Sequence, residues 1–167
     1  RVPPTTPEAR KRQAAAFARP TSDAAENVAT VTRGAYDNPE NRPLAERCIL
    51  GFGSTSGPPM LPVLYNNFKQ IVQTPTHVMI LVEMNHDARI IPLKAADQKN
   101  PQWLGNSKGR WEGDTLVVET TNFNPGESLR TFFQNSYLLS PDAKVIERFS
   151  RIGDTQILYQ FSVDDPK

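Results

Sequence analysis

The chain has 167 residues, 38% of them hydrophobic and 22% charged, which fits one globular domain with its own core and excludes a disordered composition. Nineteen basic residues face eighteen acidic ones, and the net charge of +1 gives no global field for steering nucleic acid or an anionic membrane. Apolar runs stop far short of the about 18 residues that cross a bilayer, and the longest, Val78 to Val82, suits a buried strand. Residue 1 is Arg rather than Met, consistent with a removed signal peptide or a truncated chain. Cys48 is the single cysteine. It excludes an internal disulfide and Cys-x-x-Cys metal or haem motifs, and it reads as a small buried apolar residue.

Nine of the fifteen prolines precede residue 63 and divide the chain into an N-terminal arm, 1–62, and a β domain, 63–167. In the arm, Thr5 or Thr6 can cap a helix, Pro7 suits its first turn, and Glu8 complements its dipole. Good helix formers run from Glu8 to Phe17, and Pro20 stops them. Residues 21 to 47 read as loop or short turns. Gly51 to Pro62, GFGSTSGPPMLP, has too much Gly, Ser and Pro for a regular element. The arm is poor in large apolar groups, so few core contacts are expected before residue 60.

Strand signals then follow one another. They cover Phe68–Thr74, His77–Met84, Arg89–Leu93, Lys108–Glu112, Thr115–Phe123, Leu129–Phe133, Lys144–Ile152 and Thr155–Val163. Asn85-His86-Asp87 is a turn between two of them. Gly113-Asp114 and Gly153-Asp154 predict hairpins. In the last strand Ile157, Tyr159, Phe161 and Val163 share one face, and Leu158, Gln160 and Ser162 share the other. No βαβ alternation is visible. The fold class is mainly β: an antiparallel up-and-down meander of about 6–8 strands, strongly curved or closed into a small barrel.

Four segments carry a resemblance: PLAERC (Pro43 to Cys48), YNNFKQIVQTP (Tyr65 to Pro75), EMNHDARIIPL (Glu83 to Leu93) and GRWEGDTLVVETTNF (Gly109 to Phe123). They resemble a large group of exported β-rich proteins of soil bacteria, acidobacteria and their relatives above all. The likeness covers roughly residues 40 to 165, and GRWEGDTLVV is its most specific piece. It implies export to the periplasm or beyond and a β-rich domain, and it carries no activity.

Glu83, His86 and Arg89 surround one hairpin tip with Asp87 beside them. A carboxylate-held histidine can move protons near neutral pH, and an arginine can bind developing negative charge. The plainer alternative is a turn in which Glu83 pairs with Arg89. Trp103 and Trp111 could stack on a ring or cap one end of the core. Glu147 and Arg148 point to opposite strand faces, so one faces inward and needs a partner, with Asp114 or Arg110 as candidates. Arg148 is thereby a candidate ligand-binding residue. Gly105-Asn106-Ser107-Lys108-Gly109 matches G-x-S-x-G, but a hairpin follows it where a hydrolase elbow needs a helix. His77 and His86 lie beyond opposite ends of one strand, about 25–30 Å apart at strand rise, so no metal site is expected. No cofactor is implied.

The sequence favours an exported, non-catalytic binding or accessory protein. Its arm would hold it on a protein partner in a larger periplasmic or extracellular assembly, with a small-molecule ligand as a further partner. The alternative is a small enzyme using Glu83, His86 and Arg89 for acid–base chemistry.

Overall fold

A computed structural model of the protein describes residues 7, 11, 47–50, 57–62, 66–94, 100–124, 129–132 and 135–166. Pro7 and Lys11 are helical, and the rest of the predicted Glu8–Phe17 helix lies outside the described residues. Elsewhere among the described residues the regular structure is β-strand, all of it paired antiparallel, apart from one 3-10 turn.

The strands are β1 (Lys69–Gln73), β2 (His77–Val82), β3 (Ala88–Pro92), β4 (Asn106–Glu112), β5 (Thr115–Thr121), β6 (Leu129–Phe132), β7 (Asn135–Leu138), β8 (Lys144–Gly153) and β9 (Gln156–Asp164). They form a three-stranded sheet β1-β2-β3, a four-stranded sheet β4-β5-β8-β9, and the separate hairpin β6-β7. The expected single meander is therefore divided, and no barrel closes among the described residues. Two features divide it. β3 and β4 do not pair, and among the described residues between them the one bridge is isolated, Gln102 to Phe123. The β6-β7 hairpin then intervenes, so β5 pairs with β8.

The two larger sheets stack through the alternation of their strands. Val78, Ile80, Val82 and Ile91 of one meet Leu116, Val118 and Phe149 of the other. Where β4 passes β3, a side chain on Gly109 would begin 3.0 Å from Ile91 and Leu93. A second cluster gathers Phe123, Leu139, Ala143 and Val145.

Both glycine hairpins form. Gly113 has φ +59 at the first central position of its two-residue turn, a conformation that suits glycine. The other turn falls one residue later than predicted, at Asp154-Thr155, because an irregularity between Arg151 and Gly153 leaves Gly153 paired with Gln156. Asn85 and its neighbours form a 3-10 turn, Met84–His86.

Two expectations fail in the arm. Cys48 is exposed, with φ 55 in a turn, rather than buried. Gly57, Pro58, Pro59 and Leu61 are buried. Burying a proline ring costs no side-chain rotamer freedom, so this short Pro-rich piece can join the core without regular structure.

Candidate functional site

The turn after β2 does not gather the predicted acid–base group. Glu83 and His86 are exposed, and His86 has φ 55. Arg89 is 3% exposed and lies opposite Ile80, on the core face of β3. Among the described residues no side-chain hydrogen bond or ion pair joins the three; the His86 amide reaches only the Glu83 backbone carbonyl, at 3.3 Å. The plainer Glu83–Arg89 pairing is also absent, because strand alternation sends Arg89 inward.

Its partner is Glu147, at 2.8 Å from Nη2 to Oε2, with Glu147 fully buried. This corrects the assignment of Asp114 or Arg110 to the inward member of the Glu147-Arg148 pair. Arg148 faces outward and donates to Glu112 at 2.8 Å. Glu112 also accepts from Arg110, and these hydrogen bonds hold its carboxyl below the usual carboxylate range. Ser107 lies within β4 and shares a buried 2.8 Å hydrogen bond with Thr120, so it is a strand residue and not an exposed nucleophile. No group of three potential metal ligands occurs among the described residues.

Around Glu147 three segments meet. The Tyr159 hydroxyl donates to Glu147 Oε1 at 2.7 Å and accepts from the Met60 amide at 2.8 Å. Gly57, with φ +84, crosses over the arginine so closely that a Cβ there would lie 3.0 Å from Arg89 Nη1. The arginine's N–H bonds are not aligned for hydrogen bonding to Glu147. Among the described residues Nε, Nη1 and Nη2 find no aligned acceptor, and the contact is chiefly one charge against another. Burial, the Glu147 charge and the hydrogen bond to it all push the Tyr159 phenol far above its ordinary value. Tyr159 therefore stays a neutral donor. The group is sealed from solvent at Arg89 and Glu147, so it joins β3, β8, β9 and the Pro-rich segment rather than meeting a substrate.

The phenol has a consequence for alkaline stability. Its folded-state pKa exceeds the ordinary 10.0, so its contribution is fully present below pH 10 and is lost as pH rises beyond it. The folded state then holds a proton that the unfolded state releases, and stability should fall by about 1.4 kcal/mol per pH unit from this residue. Urea unfolding of the protein and of Tyr159→Phe between pH 9 and 11 measures it. Equal slopes would refute the assignment.

An open cleft of about 200 Å³ lies where the two sheets diverge. Val78, Ile80, Leu116 and Phe149 form its deep wall, and the exposed Ile71, Trp111 and Ile157 its mouth. Gln73, Asp114 and Arg151 add polar groups. Trp111 is 45% exposed, whereas Trp103 is half-buried in the turn before β4 and does not line this cleft. Sequence reasoning found Trp111 but not the cleft, whose walls come from six strands. It had one usable signal for Glu147: residues 145, 147 and 149 share a face, and two of the three are Val and Phe. Compared with known proteins, the chain matches no family model, no curated protein and no solved structure.

Proposed function

We propose that the chain is a non-catalytic binding or accessory module that takes a small apolar group, a ring or a short aliphatic chain, in the cleft beside Trp111. The observation that carries this reading is an apolar wall left open to solvent, with Trp111 standing half-exposed at its mouth. Apolar lining with a few polar groups at the edge is the usual make-up of a small-ligand site. The volume suits a single ring or side chain better than a larger ligand. Export and membership of a larger assembly belong to the same proposal; the first rests on the motif resemblance and the second on the length and composition of the N-terminal arm.

The test uses benzene and hexanol as probes, with amide shifts followed by NMR on the full chain. Shifts should concentrate at Ile71, Val78, Trp111, Leu116 and Ile157, and Trp111→Ala should weaken binding about tenfold, as loss of a large apolar contact implies. Absence of saturable shifts, or shifts elsewhere, would refute the cleft as the site.

A further inference from the structure

We propose that β9 is a pairing surface for a second copy of this chain, joined antiparallel about a two-fold axis at Gln160. β9 ends the four-stranded sheet, and no described strand pairs with its outer edge. It has nine residues, and from Gln156 to Val163 none is charged and none is proline. Unpaired edges are normally blunted by short length, charge or proline, since their free backbone groups recruit other strands. The opposite edge of the same sheet, β4, shows that blunting: it carries Lys108, Arg110 and Glu112. β9 shows none of it.

Its side chains are also uncovered on the face that should be covered. Ile157, Tyr159, Phe161 and Val163 lie opposite Arg151, Phe149, Glu147 and Val145 of β8, so they belong to the core side of the sheet. Yet Ile157, Phe161 and Val163 are 55%, 39% and 42% exposed. The three-stranded sheet leaves them partly open, with Ile157 at the mouth of the cleft.

The order of residues selects the occupant. A two-fold axis normal to the sheet places residue i opposite a residue whose number makes a constant even sum with it, which keeps the apolar rows of both copies on one face. With Gln160 on the axis, Ile157 faces the partner subunit's Val163, and Tyr159 faces the partner subunit's Phe161. Leu158 then faces the partner subunit's Ser162. The whole uncharged stretch is used, β-branched against β-branched and aromatic against aromatic, and no like charges are opposed. Moving the axis to Tyr159 or Phe161 leaves one end of the row against a turn or an acid. The result is one continuous eight-stranded sheet.

Gln160 is exposed, so a charge there tests the axis while leaving the core alone. Sedimentation velocity of the full chain over a concentration series should show a monomer–dimer equilibrium. Gln160→Lys opposes two like charges across the axis and should raise the dissociation constant about tenfold, as should Gln160→Glu. An equimolar mixture of the two variants should associate as the parent does, and circular dichroism should match the parent throughout. A parent that stays monomeric, a dimer indifferent to both variants, a mixture that fails to recover, or open-ended assembly would each overturn the proposal.

Discussion

Replacing Arg89 by Met should cost about 3–5 kcal/mol of stability, because it strands the Glu147 carboxylate in the core without its counter-charge. Arg89 and Glu147 are 3% and 0% exposed, so solvent cannot substitute for the lost partner. Glu147→Leu should cost a similar amount, since it leaves the guanidinium buried and also removes the acceptor of the Tyr159 hydroxyl. The double variant Arg89→Met/Glu147→Leu should recover much of the loss, because two apolar side chains can fill the space of a buried ion pair at little net cost. It should still fall short of the parent by about 1–3 kcal/mol, the cost of an unsatisfied buried hydroxyl donor. Urea unfolding of the four proteins gives the double-mutant cycle. Single losses below about 1 kcal/mol would show the pair to be hydrated and marginal, as surface pairs are. Additive losses would show that the two charges do not interact.

The legible parts of this protein were those set by local pattern. The alternation of Val78, Ile80 and Val82 marks β2 and its buried face. Gly113-Asp114 fixes one turn and the register on either side of it, from Glu112–Thr115 to Asn106–Thr121. The illegible parts depend on pairings distant in the chain. Arg89 and Glu147 are 58 positions apart, and the local reading offered Arg89 a nearer acid, Glu83. Sequence alternation required Glu147 or Arg148 to point inward; choosing between them needed the burial of Val145 and Phe149 to be weighed. Closure of the sheet was likewise undecided locally, because it depends on whether β3 and β4 pair, and among the described residues they do not. Gly57–Leu61 looked like linker by composition, yet the Met60 amide bonds Tyr159, 99 residues away.

Gly105→Ala should be the most damaging glycine-to-alanine change among the described residues, at about 3 kcal/mol, and its origin can be separated by a matched control. Gly105 has φ +68, a conformation that costs an L-residue about 1–2 kcal/mol. A Cβ there would also lie 2.7 Å from Thr120 Cγ2 and 2.8 Å from Phe123 Cε1. Phe123 is fully buried within its cluster and Thr120 is held by Ser107, so neither can easily yield, and such overpacking adds about 1–3 kcal/mol. Gly113 has nearly the same φ, +59, but nothing lies within 4 Å of the corresponding position. Gly113→Ala should therefore show the backbone cost alone, about 1 kcal/mol. For a chain of this length the two variants should melt about 10 °C and about 3 °C below the parent. Equal melting temperatures would mean that the contact with Phe123 relaxes freely. The first glycine of the G-x-S-x-G pattern is then explained by a strand start pressed against an aromatic ring, with Ser107 Oγ turned away into its bond with Thr120.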